Sequence, residues 1–267
     1  MKLGQNRIRP PVKWFGGKYY LAEKIISLIP PHHTYVEPFG GAASVLLNKP
    51  PSPVEVYNDI DSRVVRLFRV LRDRPDEFLR RLKLTPYAEQ EWLTAGDSVA
   101  DEIEAARRDF IRWRMSLAGR GEAFSFTLHR SRRGMADVVS GFLSAVDEVL
   151  PLIIERFRRV QILNRDAFEV IAKWDSEQTV FYCDPPYHPD TLADGKSSYS
   201  YTLSRDQHLR LLRLLKSCRG YVLLSGYPNP DYDRELASWR RVAYNIAKHA
   251  AKSKRKQHCE EVIWCNW

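Results

Sequence analysis

A tetrapeptide in the second half of the chain, Asp184-Pro185-Pro186-Tyr187, carries the strongest chemical signal in the sequence. It follows the apolar run 180–183, which predicts a buried strand. The two prolines cannot donate hydrogen bonds and hold the backbone extended, so the carbonyl groups beside the Asp184 carboxylate are left to accept. A carboxylate and a carbonyl side by side can both accept from one amino group, and the tyrosine that follows can stack on a base. The tetrapeptide therefore predicts a site for an exocyclic amine on a planar ring.

A glycine-containing turn is predicted after the strand at 35–36, and it reads Glu37-Pro38-Phe39-Gly40-Gly41. In an open α/β sheet, ligands bind beyond the carboxyl ends of the strands, and glycines there let the backbone come close to the ligand. An acid about 20 residues further on would bind the hydroxyl pair of a ribose, and Asp59 occupies that place. These features are compatible with two interpretations. One is a nucleoside site, and the other is a plain tight turn followed by a surface acid. The turn lacks GxGxxG and GK[ST], so a nucleoside without a diphosphate fits better, and S-adenosylmethionine is the common one.

The segment 13–18 precedes the first predicted strand and combines two glycines with two lysines and aromatic side chains. A helix is predicted over 17–29, so the glycines stand at its start. Backbone N–H groups at a helix start attract anions. The segment is therefore a candidate carboxylate site, although glycine pairs at helix starts are common.

Short apolar strands alternate with amphipathic helices along most of the chain. Strands are predicted at 35–36, 54–57, 160–163, 179–183, 221–224, 241–246 and 261–265. Helices are predicted at 17–29, at 167–174 and from Ser204 onward, where Ser204 and Gln207 form a capping box. The middle strands are nearly continuous apolar runs, as expected of strands buried on both faces of a parallel sheet. The predicted fold class is therefore α/β, with an open and mostly parallel sheet.

The stretch 62–157 interrupts this alternation, because it lacks a convincing strand run and its pattern is mostly helical. Helices are predicted within it at 101–115 and 136–157. We therefore predict an inserted, mainly helical domain at 62–157. The residues 1–61 and 158–267 are predicted to form the domain that holds the sheet.

The charge balance favours a polyanionic partner. The chain has 42 Lys and Arg against 33 Asp and Glu, which gives a net charge of +9 and a pI near 9.4. Basic side chains concentrate at 105–134 and 248–256, and the first stretch also holds Trp113, Phe124 and Phe126. Basic runs mixed with aromatic residues favour nucleic acid over a merely solvated face. The predicted contacts to nucleic acid are Arg112, Arg114, Arg120, Arg130, Arg132, Arg133, Lys252, Lys254, Arg255 and Lys256.

The composition excludes several classes of protein. A hydrophobic fraction of 44% supplies a substantial core, which argues against disorder. No apolar run approaches ~18 residues and none follows the basic N-terminus, so neither a membrane span nor a secretory signal is predicted. The 4 cysteines form no CxxC pair, which argues against a disulfide scaffold and a zinc ribbon. We expect a reduced, cytoplasmic protein without a metal site, and a monomer is compatible with the sequence.

The motifs and their order resemble the N6-adenine-specific DNA methyltransferases, the Dam-like adenine methylase family. The resemblance rests on KWFGGK at 13–18, VEPFGGAASVLLN at 36–48, YNDID at 57–61, FYCDPPY at 181–187, LLSGYP at 223–228 and EVIWCNW at 261–267. Phage-borne members are also similar at RGMADVVSGFL, 133–143, and NRDAFEVI, 164–171. The resemblance implies a Rossmann-like sheet that binds S-adenosylmethionine, with 62–157 as the inserted domain that recognises the DNA target.

The resemblance also implies which residues bind the cofactor. Trp14 and Lys18 would contact the methionine part of S-adenosylmethionine, and Asp59 would contact its ribose. Further contacts are implied for Glu37, Pro38, Phe39 and Gly41 in the turn, for Asp166 and Phe168 beside the cofactor adenine, and for Asp184. The chain departs from the family at Ala43, where many members have a second glycine.

The implied activity is site-specific transfer of a methyl group to the N6 amino group of an adenine in double-stranded DNA, as in restriction–modification. Asp184 and the Pro185 carbonyl would hold the target amine, Pro186 would complete the rigid turn, and Tyr187 would stack on the extruded base. Extrusion costs a few kcal/mol of unstacking. Two alternatives stay open on the residues alone. One is the same fold acting on cytosine N4 or an RNA amino group, and the other is a nucleic-acid-binding protein without catalysis.

Overall fold

The computed structural model describes residues 7–14, 16–191, 201–247 and 258–267. Of the residues predicted to contact nucleic acid, four lie outside these ranges: Lys252, Lys254, Arg255 and Lys256. The other predicted site residues are all described.

A mixed sheet forms the centre of the α/β fold. Its strands are β1 (Thr34–Glu37), β2 (Val54–Asn58), β3 (Gln161–Leu163), β4 (Thr179–Cys183), β5 (Tyr221–Gly226), β6 (Arg240–Ala247) and β7 (His258–Cys265). Within the described residues these seven strands follow the order β3-β2-β1-β4-β5-β7-β6. β1 pairs in parallel with β2 and β4, and β4 pairs in parallel with β5, whereas β7 is antiparallel to both β5 and β6. The predicted α/β class with a mostly parallel sheet is confirmed.

The central strands are the apolar runs that the sequence contains. Every residue of β1 and β4 is buried, and so is β5 from Val222 onward. The register places Thr34 opposite both Val54 and Thr179, so the parallel strands end at a common edge. Residues that directly follow β1, β2 and β4 are therefore brought to that edge, where ligands bind in open α/β sheets.

The described residues also form ten α-helices. They are α1 (Ala22–Ile26), α2 (Ser62–Asp73), α3 (Pro75–Lys83), α4 (Glu89–Thr94), α5 (Glu102–Arg114), α6 (Asp137–Ser144), α7 (Leu150–Phe157), α8 (Ala167–Trp174), α9 (Arg205–Ser217) and α10 (Pro230–Glu235). The predicted capping box at the start of α9 is confirmed, because the Ser204 hydroxyl accepts from Gln207 N and the Gln207 side chain accepts from Ser204 N. No described helix is long and apolar enough to cross a membrane.

The sequence predicted most of these elements in place. All the predicted strands are confirmed, as are the helices at 101–115, at 167–174 and after Ser204. The helix predicted at 136–157 is present as α6, a π turn at Ala145–Val149, and α7. Pro151 near the start of α7 has no N–H to donate into a regular α-helical ladder, and the wider turn just before it accommodates that gap.

The helix predicted over 17–29 is wrong at both ends, because α1 spans only Ala22–Ile26. Gly16 has φ +74°, and Gly17 N donates to the Trp14 carbonyl at 3.1 Å. The glycine pair thus closes a turn, and glycine is a poor helix former in any case. Gly17 is therefore not a helix start, and its N–H is not one of the anion-attracting N–H groups of a helix terminus.

The chain packs into two compact units. The first unit comprises Met1–Ile26, Gly41–Pro50 and Asp61–Asn164, and the second comprises Ser27–Gly40, Pro51–Ile60 and Arg165–Trp267. In the core of the first unit, the rings of Phe68 and Phe157 stack with centroids 4.3 Å apart. In the core of the second, the fully buried Trp264 packs edge-on against Tyr232. The functional division into 1–61 with 158–267 and an inserted 62–157 stays a prediction.

Candidate active site

The Asp184 carboxylate stands directly after β4, at the carboxyl edge of the sheet. The register pairs Cys183 of β4 with Leu224 of β5, so the next residue of β5, Ser225, comes alongside Asp184. The Ser225 hydroxyl donates to Asp184 Oδ1 at 2.8 Å. Ser225 is fully buried and Asp184 is half-buried. A neighbouring strand therefore holds the carboxylate in one orientation.

The Tyr187 ring is fixed through its hydroxyl. That hydroxyl donates to the carboxylate of the fully buried Glu261, with O–O distances of 2.8 and 3.1 Å. The Tyr227 ring lies close by, with a centroid distance of 4.3 Å and an interplanar angle of 43°. Pro185 is buried and Pro186 is half-buried. The tetrapeptide is thus anchored near both of its ends by side chains from other strands or loops.

Asn58, the last residue of β2, fixes the turn after β1. Its amide nitrogen donates to the carbonyls of Pro38 at 2.8 Å and Arg165 at 3.0 Å, and its amide oxygen accepts from Arg165 N at 2.9 Å. Its backbone carbonyl accepts from Gly40 N at 2.8 Å. Asn58 is fully buried. One side chain therefore joins the turn after β1 to the segment that leads into α8.

The carboxylate of Glu37, at the end of β1, is also held by a tyrosine. The Tyr35 hydroxyl donates to Glu37 Oε1 at 2.7 Å, and both residues are buried. Burial raises the pKa of Tyr35 well above its usual value, and the adjacent Glu37 raises it further. The hydroxyl therefore stays protonated and remains a donor at neutral pH.

The other predicted cofactor residues of the second unit lie at the end of β2 and at the start of α8. Asp59 follows β2 and is half-buried. Asp166 is exposed and caps α8, because its Oδ1 accepts from Phe168 N at 2.7 Å. The Phe168 ring is buried, and the Arg210 guanidinium lies 4.6 Å from its centroid. Phe39 is half-buried in the turn after β1.

Three predicted cofactor residues, Trp14, Lys18 and Gly41, belong to the first unit. Gly41 has φ +46°, and a Cβ on it would lie 2.6 Å from Trp14 Nε1, so this position needs glycine. The Trp14 indole packs edge-on against Trp113 at 5.6 Å. Lys18 is buried, and its ammonium donates to the Gly16 carbonyl at 2.9 Å. The unit therefore brings Trp14 and Gly41 into direct contact and holds Lys18 against the preceding turn.

Ala43, the departure from the family pattern, lies in a strained part of the same turn. Its φ is +57°, in the left-handed region that glycine adopts at little cost. Its methyl group is fully buried. The backbone of this turn therefore keeps a conformation that suits glycine even though the residue is alanine.

The arginines predicted to bind DNA fall into two structural groups. Arg112 and Arg114 are half-buried, and they donate to the carbonyls of Gly121 and Gly141 respectively. Burial and, secondarily, the charge of Arg9 lower the pKa of Arg114 to about 10, so Arg114 stays charged at neutral pH. The exposed group consists of Arg120, Arg130, Arg132 and Arg133, of which Arg133 pairs with Glu148.

A buried polar cluster follows the tetrapeptide. The rings of His188 and His208 lie 5.0 Å apart, and His208 Nδ1 is 2.9 Å from the Tyr232 hydroxyl. His188 Nε2 is 3.4 Å from Asp231, which Arg205 binds with two hydrogen bonds. Burial and, secondarily, His188 lower the pKa of His208 to about 4, so His208 is neutral at physiological pH. The cluster fixes the chain after Tyr187 against α9 and α10.

Sequence reasoning did not single out Asn58, Ser225 or Glu261. Each is a fully buried polar residue in or beside an apolar strand. All three stand within stretches that carry the family resemblance, YNDID, LLSGYP and EVIWCNW. A polar residue at the carboxyl end of an apolar strand was the signal that could have found Asn58 and Ser225, because buried polar groups need partners. Glu261 lies in the first half of β7, where no such signal marks it.

Residues 14–257 of the chain match the family of D12 class N6 adenine-specific DNA methyltransferases. The chain belongs to this family. The resemblance predicted from the motifs is confirmed, and so are the methyltransferase fold and the enzymatic activity toward adenine N6 in DNA. The match excludes the alternatives that the residues alone left open. These were methylation of cytosine N4 or of an RNA amino group, and a nucleic-acid-binding protein without catalysis.

Proteins named DNA adenine methylase are similar to this D12-class enzyme over most of their length. The protein of Salmonella typhi is 27% identical over 252 residues, which cover 91% of this chain and 87% of that protein. The protein of Serratia marcescens is 27% identical over 256 residues, or 91% and 90% of the two chains. The protein of Escherichia coli (strain K12) is 26% identical over 204 residues, or 74% and 73%.

Proposed function

We propose that this enzyme methylates adenine N6 at specific sites in double-stranded DNA, with S-adenosyl-L-methionine as methyl donor and Asp184 as the residue that orients the target amine. The observation that carries the assignment is the position of Asp184, fixed by Ser225 at the carboxyl edge of a parallel sheet and followed by two prolines. Incubation of a plasmid with enzyme and S-adenosylmethionine, followed by mass spectrometry of the nucleosides, tests it. N6-methyladenine should form, and N4-methylcytosine should not.

The residues in the second unit suit the proposed cofactor in their chemistry. The Asp59 carboxylate can accept from both hydroxyls of a ribose, and the Phe168 ring offers an apolar surface to a purine. Glu37, Pro38 and Phe39 form the turn beside them, and Asp166 caps the adjacent helix. The predicted roles of Trp14, Lys18 and Gly41 in the first unit stay proposals of the same kind. When bound, S-adenosylmethionine supplies a methyl group on a positively charged sulfur, already a strong electrophile.

The task left to the protein is orientation of a weak nucleophile. The lone pair of the adenine amino group is delocalised into the ring, and hydrogen bonds from that group to the Asp184 carboxylate and the Pro185 carbonyl favour a more pyramidal nitrogen. Because the two acceptors are fixed, they also direct the nitrogen lone pair toward the methyl group. Such orientation of reacting groups lowers the barrier. Tyr187, held by Glu261, is proposed to stack on the base once it has left the duplex.

The proposed cofactor contact at Asp59 predicts a binding defect. Asp59→Ala should weaken S-adenosylmethionine binding by about 1.5–3 kcal/mol, roughly 10- to 100-fold in Kd, because a charge-assisted hydrogen bond to the ribose is lost. Isothermal titration measures the change. Glu177→Ala, which removes an exposed acid of the same unit, serves as the matched control and should leave Kd unaltered. An equal Kd for Asp59→Ala and the parent would place the ribose contact elsewhere.

We propose that the DNA duplex is held mainly by the exposed arginines of the first unit, Arg130 and Arg132 foremost. They follow Phe126 and Leu128, whose side chains are 81% and 99% exposed. Exposed apolar side chains beside basic residues suit a nucleic-acid partner, because the arginines can contact phosphates and the apolar groups can contact the faces of bases. Arg112 and Arg114 are proposed to support this segment from within, because their guanidinium groups donate to backbone carbonyls.

This proposal predicts a change in the salt dependence of binding. Arg130→Ala and Arg132→Ala should each lower the slope of log K against log salt by about 0.9, because each lost phosphate contact releases one counterion fewer. Replacing an arginine that contacts a base would instead relax the choice of target site, with a loss of about 1–3 kcal/mol of discrimination between sites. Arg158→Ala, an exposed arginine paired with Glu155, is the control and should leave the slope unaltered. Parent-like slopes and site choice in both variants would show that DNA docks on another surface.

A further inference from the structure

The Asp184 carboxylate is the end of a buried hydroxyl chain that runs across two strands. Ser225 donates to Asp184 Oδ1 at 2.8 Å, and the Tyr182 hydroxyl lies 3.3 Å from Ser225 Oγ. Tyr182 is 3% exposed and Ser225 is fully buried. Tyr182 and Asp184 are two residues apart along an extended chain, so their side chains point to the same side of the sheet.

The direction of this chain follows from proton counting. An ionised carboxylate can only accept, so the single proton of the Ser225 hydroxyl is committed to Asp184. Ser225 Oγ can then only accept from Tyr182, which places the tyrosine as the outer donor. Burial of both hydroxyls keeps water from replacing either partner. Across the 3.3 Å contact, Tyr182 is therefore the donor and Ser225 the acceptor.

We propose that Ser225 and Tyr182 are positioning residues for methyl transfer, and that Tyr182 acts on Asp184 only through Ser225. This inference rests on the proposed role of Asp184. Ser225 fixes the rotation of the carboxylate, so that the acceptor oxygen meets the target amine in one direction. Tyr182 in turn fixes the serine rotamer. Misplacing a reacting group by a small distance is costly in rate although binding is retained.

A double-mutant cycle tests the proposal, with single-turnover rates measured on DNA at saturating cofactor. Ser225→Ala should lower the rate about 10-fold and Tyr182→Phe about threefold, with KM for DNA and Kd for the cofactor unaltered. In the Ser225→Ala background, Tyr182→Phe should have no further effect, because its only path to the carboxylate is gone. Tyr221→Phe, which removes a half-buried hydroxyl of β5, is the matched control and should retain the parent rate. A merely structural role would instead lower Tm and shift KM.

Two outcomes would overturn the proposal: a Ser225→Ala rate within twofold of the parent, or effects of the two substitutions that multiply. If Ser225→Ala fails to fold, the test uses Asp184→Ala instead. Adding Tyr182→Phe to the Asp184→Ala variant must leave its residual rate unaltered, because Tyr182 is proposed to act through Asp184. The proposed function fails separately, if Asp184→Ala itself retains turnover. Loss of activity in Asp184→Ala together with multiplying effects at Ser225 and Tyr182 overturns only the hydroxyl chain.

Discussion

Replacing Asp184 with alanine is expected to lower the rate of methyl transfer by about 10²–10³-fold while the protein still binds S-adenosylmethionine and DNA. The substitution would remove the proposed charge-assisted hydrogen bond to the target amine, for which about 2–4 kcal/mol of transition-state stabilisation is expected. It should not unfold the protein, because Asp184 is half-buried and follows β4 rather than lying within it. Single-turnover methylation, together with separate titrations of cofactor and DNA, measures the three quantities.

Two further variants sharpen this test of Asp184. Asp184→Asn keeps an acceptor oxygen for Ser225 and for the amine but loses the charge, so its rate should fall between those of the parent and the alanine variant. Asp190→Ala removes an exposed carboxylate six positions along the chain and should leave turnover unaltered. Turnover of Asp184→Ala within tenfold of the parent would show that another group orients the amine.

Gly40→Ala is expected to disrupt the turn after β1. A Cβ at Gly40 would lie 2.3 Å from Cε2 of Tyr57 and 3.0 Å from the Asn58 carbonyl, and Tyr57 is fully buried. Overpacking of this kind costs typically 1–3 kcal/mol and can cost more where a buried ring must move. We expect the Tm to fall on the order of 5–10 °C. Cofactor affinity should fall as well, because the turn contains Pro38 and Phe39.

Gly141→Ala is the matched control for Gly40→Ala. Gly141 lies inside α6, and a Cβ on it would meet no atom within 4 Å. Alanine there should raise stability by about 0.5–1 kcal/mol, because glycine inside a helix costs conformational entropy. Thermal unfolding of the two variants is thus expected to shift in opposite directions. A Gly40→Ala protein as stable as the parent would mean that Tyr57 can repack without cost.

The strands of the sheet were predictable because each one is a short run of residues with a recognisable local pattern. Apolar runs such as 179–183 and 221–224 are buried on both faces and end at Asp, Gly or Pro, so length and composition suffice to locate them. The position of the Asp184 tetrapeptide directly after a buried strand was predictable for the same reason. The capping box at Ser204 and Gln207 is equally local.

The partners of the site residues were not predictable, because they depend on which strands lie side by side. Ser225 reaches Asp184 only through the pairing of β4 with β5, and Glu261 is 74 residues from the Tyr187 that it holds. The spacing of apolar residues along the sequence does not indicate which strands pair. The arginines show the same limit. The sequence gives no reason to separate Arg114 from Arg132, whereas in the structure Arg114 is half-buried and donates to the Gly141 carbonyl and Arg132 is exposed.

The helix predicted over 17–29 illustrates a different limit. The apolar positions from Leu21 to Ile29 suit a helix, but the chain before Ala22 forms turns around a glycine with positive φ. A glycine pair is compatible with a helix start or with a tight turn, and in the structure the turn places Trp14 against Gly41. Tertiary contacts here override a local preference.

Strand β7 is synthesised after β6 yet lies between β5 and β6 in the sheet. A nascent chain that has reached only β6 therefore exposes an unpaired edge on β5 and an unpaired strand beyond it, both open to wrong partners. Association with chaperones or aggregation of stalled chains is the expected consequence at that stage of synthesis. The same late strand brings Glu261 to the Tyr187 hydroxyl, so the sheet and the anchor of the Tyr187 side chain are completed together.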